Sequence, residues 1–317
     1  MSTLTLTKKS VSWKGLIDMK DVKNYSEEIL LENFKGYVSF DLDSIIWHKM
    51  RVMYNNFSNE ETPETSFEEI WNTLSHKIYE EIKEEIEFLR ENENIRYHLI
   101  FGIDDLQTND IKRIRNENRQ ERKKEKEALL KENPTEQKYI AAVYFENRDN
   151  MRDQIKKWIR RDRFSYQEYG DPDPICAYIS RQEDHYVYSK DKDLVLFGGD
   201  KIVDEFLLHE KGLRVFSWNS YLRNKKLDYE TVRRIAIVCG TDYNNGVPQY
   251  GIQKSSKLAL DLDHQKMEIE KFVNVFSDET ISKDLINAYR FFTNIDKTII
   301  DCPHNDFTAR DEILNID

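Results

Sequence analysis

The chain has 317 residues, 34% of them charged and 39% hydrophobic, with a formal net charge of −11. That length can bury a sizeable core, and no apolar run approaches the roughly 18–20 residues of a membrane span, which excludes a membrane partner. Three scattered cysteines (Cys176, Cys239, Cys302) form neither a disulfide framework nor a metal-ligand spacing, and MSTLTLTKKSVSWKGL lacks the apolar core of a secretory signal. Both observations point to an intracellular, reducing compartment.

In chain order, GYVSFDLDSIIWHKM opens with an apolar strand over 37–40 that ends in Asp41 and runs into a helical pattern. Apolar residues recur at three and four over 67–89 (Ile70, Trp71, Leu74, Ile78, Ile82, Ile86, Leu89), which predicts an amphipathic helix. RYHLIFGIDD is a second strand ending in acids. The stretch 109–131 is helical with almost no apolar stripe, so its charged faces look to solvent or to a polyanion, and Pro134 ends it. One or two helices follow over 138–159. CAYISRQEDHYVYSKDKDLVLFGGD then reads as helix end, turn, strand, acidic turn and second strand. A hairpin-like stretch covers 201–220. An apolar, strand-like run over 231–238 leads into CGTDYNNGVPQYGIQKSSKLAL, with a Gly-containing turn and a new helix. Strands alternating with helices predict an α/β fold with a mostly parallel central sheet and flanking helices.

In such a sheet, chemistry collects beyond the carboxyl ends of the strands. Those ends supply Asp41 (with Asp43 two on), Asp104 and Asp105, then Asp191 and Asp193; Asp171 and Asp173 precede a helix, and Asp242 follows the last apolar run. Each alone is most often a cap or turn residue. Together they are costly, since two carboxylates 4 Å apart repel by about 4 kcal/mol at an effective dielectric of 20. Hard divalent cations, Mg²⁺ or Mn²⁺, are the usual remedy, and a pair of them about 4 Å apart can hydrolyse a phosphodiester. Basic residues crowd into KRIRNENRQERKKEK and IKKWIRRDR, which gives an acidic chain local surfaces for phosphate.

The order of these motifs resembles the flap endonuclease (FEN/RAD2/XPG) family of structure-specific 5′ nucleases over about 15–260. WKGLIDM resembles the family's opening Gly-Leu segment, and SFDLDSIIW its first acidic strand end. The resemblance implies Asp41 as the first metal carboxylate and Trp47 as an aromatic stacking on a base. FGIDDLQTNDIKRIRNENR lacks the usual Phe-Asp-Gly-x-x-Pro, but Asp105, Lys112 and Arg119 keep the family's spacing of seven and fourteen, whereas Asp104 would place Ile111 and Asn118 there. Lys112 and Arg119 are then the catalytic cations. GDPDPICAYI matches the family's Glu-Ala-Glu-Ala helix start with shorter acids, Asp171 and Asp173. YSKDKDLVLFGG supplies Asp191 and Asp193. CGTDYNNGVPQYGIQKSSKLA resembles the Gly-x-Asp-Tyr segment and helix–two-turn–helix, which implies Asp242 as the last carboxylate.

The same resemblance implies duplex contacts at Gly246, Gly251 and Lys254, with a K⁺ ion in the turn, and DNA contacts at Arg115, Arg122 and Lys123. It further implies a single 5′-nuclease domain over 1–317. Its parts are an N-terminal segment (12–106), a helical arch (107–136), an internal segment (137–230), and a helix–turn–helix with C-terminal helices (231–317). The expected activity is 5′ flap endonuclease or 5′ exonuclease cleavage, using two Mg²⁺ ions with Mn²⁺ as substitute. It leaves a 5′-phosphate and a 3′-hydroxyl, in replication, repair or recombination. Expected partners are branched or flapped DNA, with RNA also open; the protein acts as a monomer, and the sequence has no sliding-clamp box. AYRFF (288–292) reads as core. The nucleus follows by analogy, with the cytoplasm as alternative. Short length and Asn-, Lys- and Ile-rich composition fit a compact viral or protist member. Two other readings stand beside this one: a catalytically impaired nucleic-acid-binding relative, and a haloacid-dehalogenase-type phosphatase with Asp41 as nucleophile. His48, His98 and His185 read as structural or surface residues.

Overall fold

A computed structural model describes residues 13–17, 22–57, 67–102, 110–133, 143, 149–261 and 267–294. Strand β1 (Ser26–Leu30) precedes β2 (Gly36–Asp41), which feeds directly into α1 (Leu42–Phe57). Helix α2 (Phe67–Arg90) returns the chain to β3 (Ile95–Gly102). The charged helix α3 (Asp110–Glu132) and the basic, amphipathic α4 (Asp149–Arg161) follow. Next come β4 (Gln167–Tyr169), α5 (Pro172–Ile179) and β5 (His185–Tyr188). The hairpin β6 (Lys201–Leu207) and β7 (Gly212–Ser217) runs into α6 (Trp218–Asn224). The last part is helical: α7 (Tyr229–Cys239), α8 (Ile252–Ala259), α9 (Ile269–Val273) and α10 (Glu279–Thr293).

The seven strands form one sheet in the order β1-β7-β6-β5-β2-β3-β4. The five from β6 to β4 are parallel, and β1 and β7 add an antiparallel edge. Alternation along each strand splits the core in two. Ile100, Val187, Ile202 and Phe216 point into a cluster with α5, α7 and α10. Their neighbours Leu99, Tyr188, Val203 and Val215 point into a second cluster with α1, α2 and α4. Burying both faces explains why the middle strands read as apolar runs rather than alternating ones. Phe291 and Phe292 of AYRFF pack in the first cluster, as expected of core.

Two expectations need correction. LVLFGG is no strand: Asp191 accepts from Asp193 N and caps a short 3₁₀ turn, Lys192–Val195, which packs Leu194 to Phe197 beneath α5 and α7. The 231–238 run is helix α7, not strand, capped by Asp228 accepting from Thr231 N at 2.7 Å. An all-round apolar stretch is compatible with either state, and here the Asp cap decides. Strands β1 and β4 are too short and too polar to have been seen. His185 is buried and stacks on Tyr37 at 4.4 Å. No described helix is long and apolar enough to cross a membrane.

Candidate active site

Strand β2 delivers Asp41 to the carboxyl edge of the sheet, where it is 1% exposed. Its Oδ1 accepts from Ser44 N at 3.3 Å, which caps α1, and its Oδ2 accepts from Ser189 Oγ at 2.7 Å. Ser189 stands just past β5, and its Oγ also accepts from Asp191 N at 3.0 Å. The ends of β2 and β5 are therefore laced together by one hydroxyl. Burial pushes the Asp41 carboxyl up to about 7; the Ser189 bond opposes this, and the charges of Asp43 and Asp191 add to it.

Asp193 lies one 3₁₀ step beyond Asp191 and is 2% exposed. Burial raises it to about 7 as well, reinforced by Asp191 and Asp242 and opposed by Lys14. Lys14 comes from the short 3₁₀ turn Trp13–Leu16, and its Nζ sits 2.9 Å from Asp193 Oδ1 and 3.4 Å from Asp191 Oδ1. Burial works against its charge, but Asp191, Asp193 and Asp242 prevail and hold the ammonium well above the usual lysine range. Lys192 fixes this segment by donating to the carbonyls of Lys14 and Ile17.

On α5, Asp171 is the N-cap, accepting from Asp173 N at 3.3 Å, and Pro172 opens the helix. Proline suits a first turn, where its missing N–H costs nothing. Both carboxylates are 7% exposed. Buried Tyr243, next to Asp242, places its hydroxyl 3.3 Å from Asp171 Oδ2 and 3.2 Å from Asp173 Oδ2. One phenol thus spans the pair. Burial lifts the Cys176 thiol well up, and the charges of Asp41, Asp173, Asp171 and Asp43 add to that, so this cysteine is an inert neighbour.

The sheet edge, α5 and the turn after α7 therefore bring together Asp41, Asp171, Asp173, Asp191 and Asp193, with exposed Asp242 at the rim. Among the described residues, no three His, Cys, Asp or Glu side chains stand close enough to hold a metal ion. Protein donors hold the carboxylates instead: Ser189 on Asp41, Tyr243 on the α5 pair, Lys14 on Asp191 and Asp193. Asp105 lies outside the described residues. Lys112, Arg115 and Arg119 fall on the backbone of α3, as do exposed Arg122 and half-buried Lys123. Trp47 is half-buried and packs against the second core cluster.

Gly246 sits in the turn after α7 at φ +70°, where a Cβ would lie 2.4 Å from Gly240 N. Gly251 is the N-cap of α8 with open space about it, and Lys254 is exposed on its first turn. Reading the sequence missed Lys14, Tyr243, Ser189 and Ser44. Tyr243 and Ser44 adjoin residues it did find, Asp242 and Asp43, but no spacing rule marks a neutralising lysine or a bridging phenol.

A parallel sheet with its acids gathered at one edge, followed by helix, tight turn and helix, defines an α/β protein of the PIN/5′-nuclease-like class. The XPG I-region family model matches residues 167–242. Over that region, about a quarter of the chain, the sequence is similar to the XPG I-region of nucleases. Exonuclease 1 of Drosophila melanogaster is 29% identical over 102 residues, 31% of this chain; the match spans 14% of that protein's length. The catalytic core of Rad2 in complex with DNA substrate (complex II) superposes with a TM-score of 0.52 at 16% identity, covering 96% of this chain and 99% of that one. A second Rad2 complex with DNA substrate (complex III) gives 0.52 at 16% identity, over 93% and 97%. Identity that low speaks for a shared fold.

Proposed function

We propose that the chain is a divalent-metal-dependent, structure-specific 5′ nuclease that hydrolyses DNA phosphodiesters near single-strand/duplex junctions, as a flap endonuclease or 5′ exonuclease. The observation that carries this reading is the gathering of six aspartates from separate segments at the carboxyl edge of the sheet, within a chain that holds an XPG I-region. The gathered acids are all hard oxygen donors, and a cation already stands among them in the form of the Lys14 ammonium. That donor set fits Mg²⁺ or Mn²⁺. Asp41, Asp171, Asp173, Asp191, Asp193 and Asp242 would hold two such ions, with Asp105 as a further ligand. When bound, the ions supply Lewis acidity toward the phosphate and lower the pKa of water.

The chain's own residues do the rest. Buried Asp41 and Asp193 resist ionisation without a counter-cation, so the site favours divalent charge over bulk solvent ions. Tyr243 sets the spacing of Asp171 and Asp173. Lys112 and Arg119, one face of α3 apart by two turns, stabilise charge developing on the phosphoryl oxygens. Arg115, Arg122 and Lys123 hold the backbone of the strand that passes them, and Trp47 stacks on a base. The turn with Gly246, and Gly251 and Lys254 at the start of α8, receive the duplex backbone, with K⁺ bound in the turn. The protein works as a monomer on branched or flapped DNA, in the nucleus, with the cytoplasm as the alternative compartment.

A second reading is a family relative that binds junctions without cutting them. It is favoured by the two short acids on α5 and by the absence of a converged triad among the described residues. One experiment separates the two. Purified protein is incubated with 5′-labelled double-flap DNA and Mg²⁺, beside an Asp191→Ala variant and an EDTA control. Cleavage at the flap base, reduced about 10³-fold or more in the variant and absent in EDTA, is the expected result. Junction binding without cleavage in Mg²⁺ and Mn²⁺ would establish the second reading.

A further inference from the structure

The basic stretch IKKWIRRDR has no part in the acidic edge of the sheet, and in the fold it lies on α4 and the turn after it. Met151, Ile155 and Ile159 recur every fourth residue and sink one face of α4 into the second core cluster. The opposite face is thereby held to solvent, where Lys157, Arg160 and Arg161 are exposed. Helix α4 starts at the carboxyl edge of the sheet: Arg152 Nη1 is 3.9 Å from Asp43 Oδ1, and Asp43 Oδ2 accepts from Gly102 N at 2.7 Å. It then runs back against the strands and returns the chain to β4, which is parallel to β3. Arg152, Lys156 and Arg160 follow at intervals of four and form one row along the helix; Lys157 and Arg161 form a second beside it. From Arg152 to Arg161 the helix rises about 14 Å.

We propose that this face of α4 binds the phosphate backbone of a single-stranded nucleic acid as it leaves the acidic edge. Only the strand's point of departure rests on the nuclease reading. A helix C-terminus attracts cations through its dipole, which gives the basic residues a bland role. That effect fades outside the last turn, yet the cations begin at Arg152 and continue past the helix to exposed Arg163. Arg163 holds φ +63°, a conformation in which glycine is usual after a helix. A merely solvated helix also intersperses acids, as α3 does with Glu117, Glu121 and Glu125, whereas 154–161 contains four cations and no acid. Among the described residues, no carboxylate stands within ion-pair distance of Lys157, Arg160 or Arg163. Arg160 Cζ lies 5.1 Å over the Tyr166 ring, and a guanidinium resting on a ring offers its outer face to a base. The strip is narrow. On its α2 side, Lys83 donates to Asp162 at 3.0 Å and is flanked by exposed Glu80 and Glu87, one turn to either side. These acids repel a polyanion as wide as a duplex and leave room for one strand.

The test measures binding in EDTA by fluorescence anisotropy, on a DNA junction with a long single-stranded 5′ arm and on the same junction without the arm. Lys157→Gln, Arg160→Gln and Arg163→Gln are combined in one variant. Its affinity for the armed junction is expected to fall about tenfold at low salt, with the slope of log affinity against log salt shallower by about 2. Affinity for the armless junction should stay within about twofold, and the melting temperature within about 2 °C because all three residues are exposed. Lys211→Gln, Lys226→Gln and Lys271→Gln, which remove three exposed charges elsewhere, should leave both affinities within about twofold. Equal loss on the two junctions in the α4 variant would overturn the single-strand assignment and give this face to the duplex. No loss on either, or wild-type protein indifferent to the arm, would leave the cations as a solvated helix end. Binding in EDTA does not depend on cleavage. A protein that shows the expected pattern but cuts nothing in Mg²⁺ would therefore sink the nuclease reading and leave this proposal standing.

Discussion

Lys14→Met removes the ammonium from the acidic site and keeps the aliphatic stem. Its Nζ lies 2.9 Å from Asp193 Oδ1 and 3.4 Å from Asp191 Oδ1. At an effective dielectric of 20, each contact is worth about 5 kcal/mol before screening and desolvation. The lysine side chain is 37% exposed while Asp193 is 2% exposed, so water screens one partner and leaves the other stranded. Breaking a buried pair costs about 3–5 kcal/mol and an exposed one less than 1, which places this variant near 2–3 kcal/mol. For a chain of this size that is a fall in melting temperature of about 4–10 °C in EDTA. Saturating Mg²⁺ should close the gap, because a divalent ion takes over the carboxylates the lysine had neutralised. Mn²⁺ should bind the variant about tenfold more tightly, since it no longer displaces a resident cation. Calorimetric unfolding with and without Mg²⁺, beside Mn²⁺ titration, reads all three quantities. A loss below about 1 kcal/mol in EDTA, or the same loss with and without Mg²⁺, would refute the reasoning.

Two further predictions follow from the same geometry. Asp41 and Asp193 hold their protons up to about 7 in the folded chain but only to the ordinary carboxylate value of 3.8 when unfolded, so the folded state holds more protons between those limits. Metal-free stability should therefore fall as pH rises from about 4 to 7, by up to about 1.4 kcal/mol per pH unit and group, and level off above. Urea unfolding in EDTA across that range checks the sign, and a stability that rises with pH would contradict it. Gly246→Ala puts a Cβ 2.4 Å from Gly240 N at φ +70°. The expected cost is about 2 kcal/mol or more, with weakened binding to duplex-containing junctions and little change on single strands. Equal loss on both substrates in a gel-shift titration would detach the turn from duplex recognition.

Much of this was legible in the sequence wherever a local pattern carries its own physics. The 67–89 periodicity gives α2 because apolar residues on one face must be buried, as Trp71, Leu74, Ile78, Ile82, Ile86 and Leu89 are. The strand ends were found because an apolar run stopped by aspartate is a strand leaving the core, as at Asp41. LVLFGG failed for a physical reason: a short apolar run is equally at home in a 3₁₀ turn once Asp191 caps it. Strands β1 and β4 carry too little apolar signal, since SEEIL and QEY owe their state to neighbours that arrive from elsewhere. In the site, the aspartates announced themselves as pairs two apart. Their partners did not. Lys14, Ser189 and Tyr243 matter only through contacts across the fold, and a residue's neighbours in space are not written beside it in the chain.

The ties that complete the acidic site close very long loops. Lys14 and Asp191 are 177 residues apart, Asp41 and Ser189 148, and Tyr243 and Asp171 72. Local helices form early and contacts of that range form late, because the entropy of closing each loop must be spent before the contact returns anything. A growing chain that has not yet released Tyr243 from the ribosome therefore carries its aspartates as scattered turn and cap residues. The acidic edge of the sheet is therefore complete only once these long-range ties have formed. Fragments and half-made copies would lack the assembled acidic edge.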